Sequence, residues 1–494
     1  MAAPDRRPSM RRSSQGIFSK LERELKLSVE PDFCLPRLSG TPLPRRLLTS
    51  VYYDTVSHDL AHARITLRRR IERGQAVWQL KIPLGNDRQE IEVRDRQADP
   101  PASLRDLLIL HLDHRALVPV ATLRVWRTGV RVRRGGRPAA VVVIDSVAVV
   151  KNNRVIQRFR EAEIEQLGAD QGQLDHLERL LRRAGAQDHD GRPKLFRALS
   201  LPAPAPDRPP DRDRPVVDHV KWALAQHVRW LLAHDPGTRL GTEIESLHQM
   251  RVATRRLRAM LRAAEPMLEP EWTRSLENEL SWLGAFLGQA RDLDVQIAYF
   301  EEETTRLDAR DRKPLAQFLA HLRTQRARVQ ELVLSELTSA RYFDLVRRLQ
   351  QAAGDPFVVE TAVTLRALAG REFKKLRKAI RSLSSSPKQA AIHTLRIKTK
   401  RARYAAELAM WAVGKPATRF IERAMTVQNL LGNYQDSFTA ESYIRAFLRQ
   451  STGVRAGFTA GRMVERQHHR REDVLTRVKP KLKSLLKWGR KAWS

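Results

Sequence analysis

The sequence predicts a multidomain α+β chain, with a β-rich amino-terminal domain joined through a proline-rich linker to an all-α carboxy-terminal domain. Three observations carry this reading. Residues 202–215 run Pro-Ala-Pro-Ala-Pro-Asp-Arg-Pro-Pro-Asp-Arg-Asp-Arg-Pro, which no helix or central strand can contain, because proline fixes φ and donates no backbone hydrogen bond. Before that stretch, short runs alternate apolar and polar residues, the period of a half-buried strand. After it, long segments rich in Leu, Ala, Arg and Glu and poor in glycine keep helical spacing almost to the end. The expected division is a disordered basic tail at 1–17, a β domain at 18–200, a linker at 201–215 and a helical domain at 216–490.

The β elements are expected over residues 20–29, 65–71, 77–82, 88–93 and 140–150. Turns fall at Gly74, Gly85-Asn86 and Gly135-Gly136, and one helix covers 171–183. The tail holds Arg6, Arg7, Arg11 and Arg12 but lacks the apolar stretch of a signal peptide. The end of the chain, 479–494, sets Lys481, Lys483, Lys487, Arg490 and Lys491 beside Trp488 and Trp493. A last docked helix with a wet face is expected there, with membrane or nucleic acid contact as the alternative.

Charge bounds the partners. The 494 residues include 90 basic and 56 acidic side chains, a formal net charge of +34, so the chain should attract phosphate polymers: nucleic acid, polyphosphate or nucleotides. A 42% apolar composition supports folded cores. The single cysteine, Cys34, excludes an internal disulfide and fits a reducing, cytoplasmic setting. No apolar run reaches the roughly 18 residues of a membrane span.

The chemistry of the first domain lies in charges spaced two apart, which a strand places on one face. Glu22, Glu24 and Lys26 form one such set, Arg88, Glu90 and Glu92 a second, and Glu161, Glu163 and Glu165 a third. Basic residues show the same habit at Arg68 and Arg70, with Lys81, Arg127, Arg131, Lys194 and Arg197 nearby in the series. One such face alone would be an outer, solvated one. Several together suit hard divalent cations on the carboxylates and phosphate oxygens on the cations. Inside one closed sheet they would form a tunnel for phosphate and metal.

At these residues the sequence resembles the CYTH family of triphosphate tunnel metalloenzymes. Glu22-x-Glu24-x-Lys26 matches its signature near the amino terminus. Tyr52-Tyr53-Asp54-Thr55, Leu67-Arg68-Arg69-Arg70, the Lys81 segment, Arg88-x-Glu90-x-Glu92, Arg127-Thr128, Asp145, Glu161-x-Glu163-x-Glu165 and Pro193-Lys194 with Arg197 follow in family order. The segment at Asp145 reads Ile-Asp-Ser-Val where Asp-x-Gly is usual, and the register of Arg131 is open. The resemblance implies an antiparallel eight-stranded tunnel that hydrolyses inorganic triphosphate or a related short triphosphate. It implies catalysis by Glu22, Glu24 and Lys26, and Mg²⁺ or Mn²⁺ on Glu22, Glu24, Glu90, Glu92, Glu163 and Glu165. Phosphates would be gripped by Lys26, Arg68, Arg70, Lys81, Arg127 and Lys194. A nucleotidyl cyclase shares that scaffold, but the sequence offers no clear adenine pocket.

The second domain carries an internal repeat. His248-Gln-Met-Arg-Val-Ala-Thr-Arg-Arg-Leu-Arg258 and His393-Thr-Leu-Arg-Ile-Lys-Thr-Lys-Arg-Ala-Arg403 share cations three, seven and ten residues after the histidine: Arg251, Arg255 and Arg258, then Arg396, Lys400 and Arg403. At 3.6 residues per turn these form one helical stripe. Leu287-Gly288 with Asp292 corresponds at nearly the same offset to Leu431-Gly432 with Asp436, so duplication is the economical cause. The repeat resembles the CHAD domain, although the second copy has Gln435 where the first has Arg291. That resemblance implies two related four-helix halves facing a basic channel that binds inorganic polyphosphate, with His248 and His393 in ligand contact or positioning. Nucleic acid is less favoured, since Tyr404 is the one aromatic near the motif faces. The two functional readings are a metal-dependent triphosphatase with a polyphosphate-binding domain, in the cytoplasm or at polyphosphate granules, and a non-catalytic polyphosphate-binding protein.

Overall fold

The computed structural model describes residues 11–12, 17–85, 87–203, 208–241, 243–359, 361–449 and 453–493. The chain separates into two compact units, 1–207 and 208–494. The basic tail expected at 1–17 lies outside the described residues except for 11–12 and 17, as do residues 204–207 of the linker and Asn86 of one expected turn.

The first unit is a single antiparallel sheet. Its strands are β1 (Arg11–Arg12), β2 (Ile17–Glu22), β3 (Glu24–Ser28), β4 (Gly40–Asp54), β5 (Thr66–Glu72), β6 (Gln75–Leu84), β7 (Asp87–Val93), β8 (Val118–Arg134), β9 (Arg137–Lys151), β10 (Arg154–Gln166) and β11 (Gln187–Asp188). Short helices α1 (Asp59–His62), α2 (Ala102–Leu107), α3 (Ile109–Leu112) and α5 (Lys194–Ala198) and the longer α4 (Gln171–Arg183) complete it. The strand order is β1-β2-β7-β6-β5-β4-β8-β9-β10-β3-β11. Strands β2 and β3 are separated only by Arg23, yet β2 pairs with β7 and β3 with β10. One extended segment therefore joins the two sides, and the sheet closes on itself.

This corrects the expected count of eight. The sheet has eleven strands, because the first expected strand is divided at Arg23 and the two-residue β1 and β11 are added at the flanks. The run 40–54 did not read as a strand because Pro42 and Pro44 interrupt its alternation; pairing of β4 with β8 is irregular there, between Leu43 and Arg46. Two-residue loops at Arg73-Gly74, Gly135-Gly136 and Asn152-Asn153 all have φ between 49° and 77°. Positive φ at both positions defines the type I′ turn, whose twist matches that of the flanking strands.

Alternation decides which side chains enter the closed sheet. On β10, Ala162 and Ile164 pack with Val142 and Ile144 of β9 and Leu27 of β3 against Leu177 and Leu181 of α4. The intervening Glu161, Glu163 and Glu165 are thereby turned inward, as is Asp145 on β9. Helix α4 starts on a capping box between Asp170 and Gln173. Leu195 of α5 packs with Leu48, Leu123, Val125 and Val147 and so fixes Lys194 beside them.

The second unit is helical: α6 (Val216–Leu240), α7 (Ile244–Ala264), α8 (Pro270–Thr304), α9 (Ala309–Leu337), α10 (Ala340–Gly354), α11 (Leu365–Arg381), α12 (Gln389–Val413), α13 (Lys415–Leu448) and α14 (Val454–Trp493). Side chains of α8, α9, α13 and α14, among them Phe300, Phe318, Ile444 and Met463, form one core. Another joins α11, α12, α13 and α14 through Phe373, Leu395, Phe420, Leu431 and Leu482. The expectation of two related four-helix halves is corrected: among the described residues five helices precede residue 355 and four follow residue 364, and α13 and α14 run through both cores. Residues 479–493 belong to α14 and dock through Leu482, Leu485 and Ala492. Among the described residues, no helix is long and apolar enough to cross a membrane.

A close approach in the sheet supplies a stability test. A Cβ on Gly129 of β8 would lie 2.2 Å from the Val142 carbonyl oxygen on β9, a backbone atom that cannot rotate away. Gly129→Ala should therefore cost about 1–3 kcal/mol, the range for overpacking, read as a lowered urea midpoint; an unchanged midpoint would contradict the packing.

Candidate functional site

Inside the closed sheet lies a cavity of ≈ 150 Å³. Glu22, Glu24, Lys26, Arg68, Arg70, Lys81, Glu90, Glu92, Arg127, Glu163, Glu165 and Lys194 all line it, together with Lys20, Arg88, Tyr52, Thr66 and Gln79. Register brings them there. Lys26 is opposite Glu163 and Glu24 opposite Glu165 across β3 and β10. Lys20 faces Glu90 and Glu22 faces Arg88 across β2 and β7, while Lys81 faces Glu90 across β6 and β7.

Carboxylates and cations are interleaved. Lys81 donates to Glu22 at 2.5 Å, and Lys20 lies 2.9 Å from Glu90. Lys26 Nζ is 2.9 Å from Glu163 and 3.4 Å from Glu24. Arg127 forks onto Asp145 with contacts of 2.7 and 2.6 Å and reaches Glu163 at 2.7 Å. Lys194 lies 2.9 Å from Asp145, 2.5 Å from Glu161 and 2.8 Å from Glu163. Gln79 donates to Glu90 at 3.0 Å and Glu92 at 2.5 Å and accepts from Arg68 at 2.9 Å. Among the described residues, Arg68 and Arg70 have no carboxylate within ion-pair distance; Arg68 donates instead to the Tyr52 hydroxyl at 3.1 Å.

These surroundings move proton affinities apart. Burial raises the Glu22 carboxyl, with repulsion from Glu24 and Glu90 adding to it and Lys81 opposing it. Burial would also raise Glu24, but Lys26, with Lys81 and Arg88, outweighs both it and Glu163 and holds the group below its ordinary value. Burial works against the Lys26 and Lys194 ammonium groups, yet their carboxylate neighbours hold both above the ordinary lysine range. The Arg70 guanidinium is lowered by burial and by Arg68 beside it, the mark of a cation lacking its counter-charge.

The donor set fits a hard divalent cation. Glu24 Oε1 is buried with no hydrogen-bond donor, and Glu163 and Glu165 lie across from Lys26 and Glu24 on β10, so oxygen ligands are available on adjacent strands. The compact acidic cluster among the described residues is Asp145, Glu161 and Glu163, with one oxygen of each within 4.8 Å of the others. Of the six expected metal ligands only Glu163 belongs to it. Glu90 and Glu92 are held by Gln79, and Lys20 bridges Glu90 at 2.9 Å and Glu165 at 3.3 Å.

Several lining residues were given no role by sequence reasoning although their signal was present. Lys20 and Arg88 each lie two residues before an expected ligand, and Gln79 two before Lys81. Asp145, set aside for its unusual segment, is fully buried and anchors both Arg127 and Lys194. Arg131, of open register, does not line the cavity. Arg197 contacts Glu161 at 3.7 Å and covers the Phe159 ring.

In the helical unit the two motif helices, α7 and α12, pack together. Arg251, Arg255, Arg396 and Lys400 act on one another electrostatically. Two aspartates flank them: Asp292 of α8, 3.4 Å from Arg251, and Asp436 of α13, which acts on Arg396. Burial, then Arg396, Arg255 and Arg251, push the Lys400 ammonium down to about 6. His248 is pushed down to about 4 by burial and Arg291 and is neutral at pH 7; His393 Nδ1 lies 3.3 Å from Gln435 Oε1, where the first copy has Arg291. The outermost cations depart from the group, since ten residues of helix advance about 15 Å. Arg403 is buried, donates to Gln428 at 2.9 Å and pairs with Glu407; Arg258 has Arg262, Glu277 and Arg401 as neighbours.

Residues 20–193 match the CYTH domain and residues 223–445 the CHAD domain. The uncharacterized protein Rv2226 of Mycobacterium tuberculosis (strain ATCC 25618 / H37Rv) is 30% identical over 528 aligned positions, covering 98% of each chain. Among solved structures, the CHAD domain of the plant Ricinus communis is 25% identical, with a TM-score of 0.48 over 57% of this chain and 96% of that one. PptA from Streptomyces chartreusis is 18% identical, with a TM-score of 0.47 over 55% of this chain and all of that one.

The buried charges make stability acid-sensitive. Burial opposes ionisation of Glu90 and Glu161, but Lys81 with Lys20, and Lys194 with Lys26, hold them down to about 2 from the ordinary 4.5. Their stabilising contribution is present above pH 4.5 and is lost as pH falls from 4.5 toward 2. The urea midpoint of the β unit's transition should drop across this window, with a shallower drop in Glu161→Gln; a midpoint independent of pH would contradict the charge pairing.

Proposed function

Since the chain belongs to the family of proteins that join a CYTH domain to a CHAD domain, we propose that its tunnel hydrolyses inorganic triphosphate or a related short triphosphate while its helical domain binds inorganic polyphosphate. The observation that carries the first half is the cavity lined by eight cations and six carboxylates, in which, among the described residues, Arg68 and Arg70 have no carboxylate within ion-pair distance. An extended anion of three phosphates supplies that missing counter-charge. Phosphoryl transfer to water needs alignment and charge neutralisation more than covalent help. Both are within the means of this lining.

Arg68, Arg70, Lys81, Arg127, Lys194 and Lys26 hold the phosphate oxygens, with Arg127 and Lys194 locked in place by Asp145 and Glu161. Glu22, Glu24, Glu163 and Glu165 are the residues that would hold Mg²⁺ or Mn²⁺, with Glu90 and Glu92 completing the set of carboxylates. When bound, the metal supplies charge neutralisation and a more acidic water. Glu22 and Glu24 are displaced in opposite directions, which separates their roles. Glu22, the more basic of the two, takes up the proton of the attacking water at a carboxylate oxygen, and Glu24 stays ionised. In the helical domain Arg251, Arg255, Arg396 and Lys400 hold the polymer, because guanidinium forks pair with phosphate oxygens and a regular polyanion matches regularly placed cations. Polyphosphate binding would be compatible with a cytoplasmic place in association with polyphosphate granules.

Two variants separate the roles. Glu24→Ala should lower phosphate release from tripolyphosphate by about 100-fold or more and leave polyphosphate affinity unchanged. Arg251→Ala with Arg396→Ala should weaken polyphosphate binding by about 100-fold, from two lost charge-assisted contacts, and reduce its salt dependence. Loss of both activities in either variant would contradict the division.

Lys400 adds a pH dependence. A bound polyanion raises its proton affinity from the unliganded value of about 6, so binding takes up a proton and weakens as pH rises above 6. Calorimetry at pH 7.5 in buffers of different ionisation enthalpy should show that uptake, and Lys400→Arg should remove it; buffer-independent heats in the unaltered protein would contradict the role.

A further inference from the structure

Helices α11 and α14 carry a concentration of charge that the repeat does not use. They run antiparallel, fixed at several points along their length. Arg366 Nε donates to the Ala492 carbonyl at 3.3 Å, and Lys479 Nζ donates to the Ser385 carbonyl at 3.3 Å. Between these contacts Gly489 lies so close to the Phe373 ring that a Cβ there would approach it to 2.0 Å. Residues 373–385 therefore lie alongside residues 479–489.

Lys374, Lys378 and Arg381 of α11 are exposed and border, with Arg377, a shallow groove of ≈ 370 Å³. On α14, Lys479, Lys481, Lys483 and Lys487 are exposed as well. The acidic residue in these two stretches is Glu372, which pairs with Lys375 at 2.5 Å. Among the described residues, no carboxylate lies within ion-pair distance of Lys374, Arg377, Lys378, Arg381, Lys479 or Lys483. The groups that act most strongly on Arg251, Arg396 and Lys400 do not include the cations of this face, although α11 packs on α12.

The chemistry of the face selects among polyanions. None of the exposed large hydrophobic residues falls on it, which leaves nothing to insert into a lipid surface. Trp488 and Trp493 pack against the core, with Lys491 over the Trp488 ring, so no aromatic platform is offered to bases. A surface of charge alone matches a polymer of charge alone. We propose that α11 and the carboxy-terminal part of α14 form a second, outer polyphosphate-binding surface, which engages long chains and leaves short ones to the repeat. This rests on the proposed function of the helical domain.

The test uses the full chain with Lys374→Gln, Lys378→Gln, Lys479→Gln and Lys483→Gln combined, all at exposed positions. Affinity for long-chain polyphosphate should fall about tenfold or more, and the slope of log affinity against log salt should decrease by roughly two to three. Tripolyphosphate turnover should stay unchanged. Unaltered long-chain affinity and salt slope would overturn the surface, as would loss of RNA or anionic-vesicle binding with polyphosphate binding intact. If Arg251→Ala with Arg396→Ala abolished binding at every chain length while the lysine variant bound normally, this inference alone would fall. If the unaltered protein bound no polyphosphate of any length, the proposed function would fall with it.

Discussion

The charge lattice inside the closed sheet is the constraint on which the first unit depends. Asp145, Glu161 and Glu163 are buried with one oxygen of each within 4.8 Å of the others, an arrangement that would be prohibitively repulsive without Lys194 among them and Arg127 and Lys26 at its sides. The cations are equally dependent, since burial alone would lower the proton affinity of Lys26 and Lys194. Each sign keeps the other ionised. Register makes this possible: the closure through Arg23 puts Lys26 against Glu163 on one side and Lys20 against Glu90 on the other.

From that follows a distinction between two kinds of cation. Lys194, Lys26 and Arg127 are already engaged by carboxylates and are thereby held in place, as a site that must meet a substrate in a fixed geometry requires. Arg68 is held by the Gln79 amide and the Tyr52 hydroxyl, and Arg70, lowered by burial and by Arg68 beside it, retains the charge that is least neutralised. The helical unit carries this second condition much further. Arg251, Arg255, Arg396 and Lys400 are crowded together, and burial together with their mutual repulsion depresses Lys400 despite Asp436 nearby. Such a cluster stores unfavourable energy that a bound polyanion would relieve.

Much of this was legible in the sequence, and the failures have physical causes. Spacing by two exposes a strand face directly, so Glu22, Glu24, Lys26, Glu90, Glu92, Glu163 and Glu165 could be placed in one cavity before their strands were known to be neighbours. The histidine repeat likewise marked α7 and α12. What spacing cannot reveal is which partner a side chain meets. Arg403 shares the stripe of Arg396 and Lys400, yet Gln428 and Glu407 take it into the helix packing. The carboxylates of Glu161 and Asp145 lie on the correct face, but their part in holding Lys194 depends on α5, five residues placed by Leu195. Strand β4 escaped detection because two prolines break its alternation, and the eleven-strand count arises from a break at Arg23 and from the two-residue β1 and β11, which no pattern announces.

The central claim, that an ionised lattice presents a cavity for a short linear triphosphate, is tested most directly by phosphate release from linear phosphates of increasing length, with Mg²⁺ or Mn²⁺ supplied. The account predicts release that is greatest for tripolyphosphate and falls as the chain outgrows the cavity, with long polyphosphate bound but turned over slowly. No release from any length, alongside undiminished polyphosphate binding, would contradict it and leave a binding protein.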